Sequence, residues 1–424
     1  MLWWTTAGES HGPALIALLE GLPSGVSVTT AMISDALEER RGGHGRGARQ
    51  KFEQDKVRIL AGVRHGVSTG APIAIEIQNS EWPKWEAVMS SDPVDPSLLQ
   101  IDAGRGDVRE MSRNRRLTAP RPGHADLAGM VSYRLDDARD VLERASARET
   151  AARVALGAVA RSFLKSVAGI HVLGHVVSVG PERGGGALPR PEDADALRQS
   201  PLRTTSESDA KRFAAVIDEA KRDGETVGGV AEVVAWNVPL GLGSHTSSEQ
   251  KLDARIAAAF MSIQSAKAVE IGDGFASAAA FGSSAHDEIA VEDGTVSRLT
   301  NRAGGIEGGT SNGQVIRASV GFKPISTVPK GQRTVDLATG QASSAFHQRS
   351  DTAQVVPGAV IAQAMMELVL AQALTERFGG RSVDEVRGQL ELHSRYVRDR
   401  LSASNEDSSK DRGVAGEPGE DAQG

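Results

Sequence analysis

The segment GESHG, at Gly8 to Gly12, places a carboxylate, a hydroxyl and an imidazole between two glycines near the start of the chain. Because a histidine ring gains and loses a proton near neutral pH, His11 is a candidate general acid or base. A second candidate, His124, also lies beside a glycine in loop-like sequence. Since an isolated histidine is more often structural than catalytic, these two gain weight only from the charged residues around them.

Arginine is concentrated in two glycine-bearing stretches, although the 424-residue chain has a net charge of -7. They are RRGGHGRGARQK at 40–51 and RGDVREMSRNRRLTAPRPGH at 105–124. Guanidinium groups bind carboxylate or phosphate in bidentate fashion, and glycines let backbone N–H groups approach such anions closely. The alternative is a pair of solvated basic loops, or a contact with an acidic partner subunit. The residue pattern leaves the two interpretations evenly balanced.

Three later loops carry further candidate chemistry. HQRSDTAQVVP at 347–357 puts Arg349 and Asp351 just before an apolar helix, where they form either an ordinary capping arrangement or an active-site pair. GDGFAS at 272–277 and NRAGGIEGGTSNGQ at 301–314 are either hairpin loops or backbone contacts for a flat cofactor. Neither matches a phosphate-binding P-loop or a dinucleotide-binding fingerprint, which disfavours ATP hydrolysis and a Rossmann cofactor site.

Composition excludes several classes of protein. The chain has no cysteine, so disulfides, thiolate catalysis and cysteine-bound metals are ruled out. No histidine pair has the spacing of a helical metal site, and we predict no metal. Acidic net charge and few aromatic residues disfavour nucleic-acid binding. No run of eighteen apolar residues and no signal-like start are present, so we expect no membrane association and a cytoplasmic location.

Hydrophobic periodicity predicts the elements that must position these residues. Alternating or β-branched runs predict strands at 72–79, 171–180, 230–238 and 314–322. Helical spacing predicts helices at 148–167, 208–224, 250–264 and 357–380, the last with Pro357 in its first turn and Gly379 at its end. This is a mixture of helices and strands. The Gly- and Pro-rich stretch 181–195 is predicted to be an exposed connection that divides two lobes.

Taken together, the segments of this chain resemble the chorismate synthase family. They run in family order and cover nearly everything before the tail: AGESHGPAL (7–15), EGLPSGV (20–26), RRGGHGRGARQKFEQDKVRILAGVRHGVSTGAPIAIEIQN (40–79), RPGHAD (121–126), ERASARETAARVALG (143–157), GGVAEVVAWNVPLGLGS (228–244), MSIQSAKAVEIGDGF (261–275), NRAGGIEGGTSNG (301–313), VGFKPISTVPK (320–330) and HQRSDTAQVVPGAV (347–360). The WPKW element at 82–85 resembles the actinobacterial branch.

The resemblance implies an α+β protein with the β-α-β sandwich fold, in a single large domain over residues 1–401. The two-lobe interpretation of 181–195 then gives way to a surface excursion, and the polar, acidic residues 402–424 are predicted to be a disordered tail. The implied assembly is a homotetramer with flavin near subunit contacts.

The implied activity is that of a carbon–oxygen lyase of aromatic amino-acid biosynthesis, at the last step of the shikimate pathway. It converts 5-enolpyruvylshikimate 3-phosphate to chorismate by eliminating phosphate and a ring proton in an anti-1,4 sense. Reduced FMN (FMNH2) is required without net redox change. Because bacterial-type members take reduced flavin from outside, we expect an external flavin reductase as partner, with NADPH as an indirect reductant.

The resemblance also assigns roles to residues of this sequence. His11 matches the histidine that protonates the departing phosphate, His124 the one beside the reduced flavin, and Asp351 the carboxylate that assists flavin N5. Arg40 and Arg46 match positions that bind the phosphate of NADPH or substrate, and Arg49 and Arg148 are further substrate candidates. The implied flavin contacts are Arg144, Ala145, Ser146, Gln264, Ser265, Gly308, Lys323, Pro324, Ile325, Ser326, Thr327 and Arg349.

Two features depart from the family pattern. Ala145 stands where many members have serine, so only a backbone contact with flavin can survive there. The insert-like QIDAGRGDVREMSRN at 100–114 lengthens the approach to His124, and we interpret its arginines as surface charges. The rival functions are a phosphotransferase or phosphatase without flavin, and a non-catalytic regulator that binds flavin or a phosphometabolite.

Overall fold

Two antiparallel sheets enclose a pair of long helices in the computed structural model, which describes residues 2–47, 55–99, 113–185, 187–292, 294–345 and 351–402. The strands are β1 (Trp3–Gly8), β2 (Ala14–Glu20), β3 (Lys56–Ala61), β4 (Val63–Arg64), β5 (Val67–Ser68), β6 (Ile73–Gln78), β7 (His171–Val179), β8 (Glu182–Arg183), β9 (Gly229–Trp236), β10 (Ala266–Ile271), β11 (Ile289–Glu292), β12 (Thr295–Arg298), β13 (Ile306–Glu307), β14 (Thr310–Ser311), β15 (Ile316–Phe322), β16 (Arg333–Val335) and β17 (Ala342–Ser344). The helices are α1 (Thr30–Arg41), α2 (Trp82–Trp85), α3 (Asp126–Tyr133), α4 (Arg139–Ala145), α5 (Thr150–Ala168), α6 (Ala194–Gln199), α7 (Glu207–Arg222), α8 (Leu252–Met261), α9 (Gly274–Ala279), α10 (Gly282–Ala285), α11 (Val355–Phe378) and α12 (Val383–Leu401).

The first sheet has the strand order β1-β2-β6-β3 and packs one face against α5. In β6 every second residue, Ile73, Ile75 and Ile77, is buried, and β2 alternates in the same way. Because successive side chains of a strand point to opposite faces, this alternation gives the sheet one apolar face and one wetter face.

The second sheet has the order β10-β15-β9-β7-β8, and α11 packs against β7 and β9. The backbone of β7 and helix α11 approach closely at Gly174. A Cβ added there would lie 2.3 Å from the carbonyl oxygen of Ala359 in α11. A glycine is therefore required at this crossing.

The helices α5 and α11 pack on each other between the two sheets, which completes a β-α-β sandwich. Helix α11 is long and apolar enough to cross a membrane, but 94% of its most apolar window is buried inside the protein, as expected of a core helix. Pro357 lies in its first turn, and Gly379 follows its last residue with φ 61°. Ala364 of α11 meets Gly157 of α5, where there is no room for a Cβ.

The predicted helices and strands are confirmed, with ends that shift by at most three residues. The β-α-β sandwich is also confirmed. One continuous hydrophobic core runs from Leu2 to Leu390 and takes residues from both sheets. The stretch 181–195 is therefore a surface excursion, as the resemblance implied, and its β8 extends the second sheet. Residues 100–112 of the insert and 403–424 of the predicted tail lie outside the described residues.

Candidate active site

A basic cavity of about 440 Å³ collects loops from both ends of the sandwich. It is lined by Ser10, His11, Arg40, Arg46, Gly47, Arg121, Gly123, His124, Ala125, Leu142, Ala145, Ser146, Ala147, Arg148, Thr150, Gln264, Ser265, Lys323, Ile325, Ser326, Thr327, Asp351, Gln354, Pro357 and Ile361. Most of the site residues expected from the sequence therefore meet in one place.

His11 lies in the connection between β1 and β2. This connection begins at a glycine with a positive φ angle. Gly8 has φ 101°, and a Cβ there would lie 2.5 Å from the carbonyl oxygen of Ala14. Only glycine adopts this conformation without strain. The amide of Asn79 donates hydrogen bonds to the carbonyl oxygens of Ser10 (3.4 Å) and Gly12 (3.0 Å), which fixes the rest of the turn.

The carboxylate of Glu143, at the end of α4, holds the imidazole of His11. Glu143 accepts hydrogen bonds from the His11 backbone N–H at 2.8 Å and from Nδ1 at 2.9 Å. Both side chains are almost fully buried, with exposed fractions of 9% and 1%. Because Nδ1 is engaged, Nε2 is the ring nitrogen suited to giving a proton to a ligand.

Trp85 of α2 stacks on the same imidazole, with ring centroids 3.7 Å apart and an interplanar angle of 23°. Neither Trp85 nor Glu143 was assigned a role from the sequence. Glu143 stands in the quoted segment ERASARET and Trp85 in WPKW. The signal that could have pointed to Glu143 is a carboxylate in the last turn of a helix, within a segment that resembles the family closely.

His124 forms a buried triad with Arg121 and Asp126. Its Nδ1 lies 2.5 Å from Oδ1 of Asp126, and Nε of Arg121 donates to Oδ2 of Asp126 at 2.8 Å. Burial by itself would raise the pKa of Asp126, but the hydrogen bonds from His124 and Arg121 outweigh it and hold that pKa well below its usual range. The carboxylate therefore stays ionised and holds the His124 ring through Nδ1.

Asp351 precedes α11 and is bound from the arginine loop after α1. Its Oδ1 accepts the N–H of Gly47 at 2.7 Å, and its Oδ2 forms an ion pair with Nη1 of Arg46. The sequence left open whether Asp351 caps the helix. In the structure its carboxylate bridges to the arginine loop, and Gln354 occupies the N-cap position without a side-chain cap.

Two further arginines line the cavity in fixed positions. Arg40 donates from Nε to Oγ1 of Thr150 at 2.9 Å, and Arg148 donates from Nη1 to Oδ1 of Asp55 at 2.6 Å. With Arg46, Arg121 and Lys323, the described residues that line the cavity include five cationic side chains and one carboxylate, that of Asp351. Its surroundings suit a ligand with several negative charges.

Lys323 differs from the arginines of the cavity in its pKa. Burial, and then the neighbouring charge of Lys267, lower its pKa from the ordinary lysine value. Its Nζ donates to the carbonyl oxygen of Gly123, beside His124. Lys323 therefore links the segment after β15 to the loop that carries His124.

The residues expected to contact flavin divide into three groups. Ala145, Ser146, Gln264, Ser265, Lys323, Ile325, Ser326 and Thr327 line the cavity. Arg144, Gly308 and Pro324 do not line it: Arg144 donates to the carbonyl oxygens of Thr6 and Gly8, and Gly308 lies in the β13–β14 hairpin turn. Arg349, and the substrate candidate Arg49, lie outside the described residues.

The cavity fits a polar, planar ligand at one specific atom. Oε1 of Gln264 is buried and has no hydrogen-bond partner among the described residues, although its Nε2 donates to Glu149 at 3.2 Å. A buried acceptor without a partner is costly unless a ligand or water supplies a donor. Gln264 is therefore prepared for the N–H of a bound group. Within the described ranges, no cluster of three or more metal-ligating side chains suited to a metal ion is found.

Comparisons with known proteins agree on one family. A family model described as chorismate synthase matches residues 2–375. The chorismate synthase of Beutenbergia cavernae is 56% identical over 388 residues, 91% of this chain and 96% of that protein. That of Mycobacterium marinum is 55% identical over 401 residues, 94% of this chain and 97% of that protein. A crystal structure of chorismate synthase aligns with a TM-score of 0.71 at 36% identity, over 94% of this chain and 98% of the solved one.

Proposed function

The chain belongs to the chorismate synthase family, and from this premise we propose how its cavity carries out the reaction of that family. The enzyme is a carbon–oxygen lyase that converts 5-enolpyruvylshikimate 3-phosphate to chorismate and phosphate, in the presence of reduced FMN and without net redox change. The observation that carries the proposal is the cavity, where His11, His124 and Asp351 line the same space as five fixed cations.

The cations bind the substrate, which carries two carboxylates and a phosphate. Arg40, Arg46 and Arg148 are each held by hydrogen bonds or ion pairs to the protein. Because they are already ordered, little side-chain entropy is lost when an anion binds. We assign the phosphate of the substrate to this arginine group, with Arg49 as a further candidate.

His11 is the general acid for the leaving group. As the C–O bond to phosphate breaks, Nε2 gives its proton to the departing oxygen, while Glu143 keeps Nδ1 protonated and stabilises the charged ring. Neutralising a phosphate dianion as it leaves lowers the barrier most when the acid is prepositioned.

Asp351 and His124 act on the ring proton and the cofactor rather than on the departing phosphate. We assign to Asp351 the handling of the ring proton, since Gly47 and Arg46 fix the orientation of its carboxylate. We assign His124, held at Nδ1 by the carboxylate of Asp126, to the position beside the reduced cofactor. The resulting double bond in the ring completes the elimination.

The residues around Gln264 fit the cofactor. Gln264, Ser265, Ser146 and the cavity-lining part of 323–327 would hold FMN, with Oε1 of Gln264 accepting an N–H of the ring system. When bound, reduced FMN supplies an electron transiently and recovers it. Ala145 offers only its backbone to the cofactor.

The proposal also covers the assembly, the domain organisation, the location and the source of reduced flavin. We propose a homotetramer, supported by the exposed apolar side chains of Phe275, Phe281, Ile289 and Val291. We further propose one catalytic domain over residues 1–401, a cytoplasmic location, and an external flavin reductase with NADPH as an indirect reductant. The continuous core and the buried position of α11 support the first two of these.

The test is anaerobic turnover of 5-enolpyruvylshikimate 3-phosphate, followed by chorismate absorbance with reduced FMN, oxidised FMN or neither. We expect product with reduced FMN only. Product with no flavin, or none under any condition, would contradict the proposal.

In the same assay His11→Ala should keep FMN binding and lose most of its turnover, about 100-fold, because general acid catalysis contributes at least that much.

A further inference from the structure

We propose that Trp85 is a positioning residue for His11, and that α2 with residues 113–115 forms a clasp that holds the imidazole in its reactive orientation. The proposal rests on the proposed role of His11 as general acid. It goes beyond that role because it assigns a function to the WPKW segment, for which the mechanism so far has no use.

The stack of the two rings is the first observation. The centroids of Trp85 and His11 lie 3.7 Å apart, and the planes are inclined by only 23°. Glu143 restrains the imidazole within its own plane through Nδ1, whereas a flat indole against the ring face restrains rotation out of that plane. The two contacts together leave the ring one orientation.

Two guanidinium groups brace the indole. Arg113 lies 5.2 Å and Arg139 5.5 Å from the centroid of the Trp85 ring. Both are tied to the surrounding chain: Arg113 donates to the carbonyl oxygen of Lys84 at 3.0 Å, and Arg139 donates from Nη2 to that of Arg113 at 2.6 Å. Cation–π contacts of this kind fix the indole in place.

Arg139 also reaches the carboxylate that holds His11. Its Nη1 lies 3.7 Å from Oε1 of Glu143, and its side chain is only 6% exposed. One buried guanidinium therefore spans both restraints on the imidazole, the stacked indole and the carboxylate. This shared partner makes the clasp a unit rather than a chance contact.

Asn79 connects α2 to the turn that carries His11. Its amide nitrogen donates to the carbonyl oxygens of Ser10 and Gly12, while its Oδ1 accepts the N–H of Glu81 at 3.1 Å, and its carbonyl oxygen accepts that of Trp82 at 3.2 Å. Any shift of α2 is thus passed directly to the turn. The stacked ring and the general acid move together.

Loss of the Trp85 side chain should lower kcat rather than weaken substrate binding. Trp85 does not line the cavity, so its loss should leave the affinities for substrate and FMN nearly unchanged. A freed imidazole would sample other orientations, and a small misplacement of an acid can reduce the rate by one to two orders of magnitude.

The experiment measures anaerobic phosphate release with reduced FMN for Trp85→Leu, Trp85→Phe and a matched control. We expect Trp85→Leu to lower kcat about 10-fold with KM and FMN Kd within about 2-fold of the wild type. Trp85→Phe should restore most of the rate, since it keeps an aromatic face. The control is Trp3→Leu in β1, where the side chain is 51% exposed and outside the clasp, and this variant should turn over like the wild type.

The double variant His11→Ala/Trp85→Leu separates this proposal from the one on which it rests. If Trp85 acts through His11, the double variant turns over no more slowly than His11→Ala. An equal loss in both backgrounds, or a wild-type kcat in folded Trp85→Leu, would overturn the clasp while leaving the general acid intact. A fully active His11→Ala would overturn both.

Discussion

At the scale of single residues, His11 is restrained by its backbone, its ring nitrogen and its ring face. The carboxylate of Glu143 supplies the first two restraints. Its negative charge is partly compensated by Arg139, whose Nη1 lies 3.7 Å from Oε1. A buried carboxylate that binds an imidazole both orients the ring and favours its charged form. The orientation of the His11 ring therefore depends on a residue that does not line the cavity.

Replacing that carboxylate by an amide isolates the effect of its charge. We expect Glu143→Gln to lower kcat about 10-fold or more, because the amide keeps the shape but no longer stabilises a protonated imidazole. Steady-state kinetics with reduced FMN measure the change. The control is Glu9→Gln in the same turn, which should alter kcat by less than about 2-fold; equal rates for Glu143→Gln and the wild type would refute the assignment.

The triad of Arg121, His124 and Asp126 makes a prediction about pH. The folded pKa of Asp126 is depressed by hydrogen bonds from His124 and Arg121. An acid of this kind stabilises the fold fully above its unfolded pKa of about 3.9 and loses that contribution as pH falls toward the folded pKa. Asp126→Asn should therefore lower the free energy of unfolding by about 1–3 kcal/mol at pH 7.

Thermal unfolding of the wild type and of Asp126→Asn across pH 7 to 2 checks this prediction. The gap between the two proteins should narrow only below about pH 4. Asp195→Asn, whose side chain is 82% exposed, is the control and should have little effect at either pH. A gap that stays constant down to pH 2 would show that the charge of Asp126 is not the cause.

At the scale of elements, the packing of α5 on α11 sets the distance between the two sheets. Gly157 lies at the crossing, where an added Cβ would come within 2.4 Å of the Cβ of Ala364. Helices cross this closely only when one partner has no side chain. Since the cavity takes Arg148 and Thr150 from the start of α5 and Pro357 and Ile361 from α11, this crossing also positions the site.

A methyl group at the crossing should force the helices apart. We expect Gly157→Ala to lower the free energy of unfolding by about 1–3 kcal/mol, although alanine is the better helix former. The matched control is Gly388→Ala in α12, where an added Cβ meets nothing within 4 Å and the helix should gain about 0.5–1 kcal/mol. Denaturant unfolding of both variants measures the difference. If the two substitutions changed stability in the same direction, the close crossing would not control it.

At the scale of the whole molecule, the segment from α9 to β12 exposes large apolar side chains. Phe275 is 75% exposed and Phe281 86%, and Ile289 and Val291 of β11 are 65% and 60% exposed. Several large apolar side chains exposed within one segment are typical of an interaction surface. In a contact about a two-fold axis the same surface of both subunits meets, so this apolar surface could pair with its own copy.

A charge placed on this surface should weaken the assembly. We expect Ile289→Glu to raise the dissociation constant of the proposed tetramer at least about 10-fold, because a carboxylate would be buried without a partner. Analytical ultracentrifugation over a range of protein concentrations measures it. Lys211→Glu on the exposed face of α7, where Lys211 is 76% exposed, is the control. An unchanged tetramer in Ile289→Glu would locate the subunit contacts elsewhere.

The sequence by itself determined the elements and the candidate chemistry. Alternation in Ile73–Gln78 and helical spacing in Val355–Phe378 identified a strand and the core helix, because these periodicities follow directly from backbone geometry. The resemblance to the family named His11, His124 and Asp351, and these residues do line one cavity. The roles that we give them are proposals.

Only the tertiary structure decided which groups hold those residues. Glu143 is 132 positions from His11, and Asp351 is 305 positions from Arg46. A contact over such a distance in the chain leaves no periodic pattern, since it depends on where two sheets and two helices bring separate loops together. The stacking of Trp85 on His11 is of the same kind, and so is the strand order. Local periodicity fixes how each segment folds, whereas packing between segments decides what each functional side chain touches.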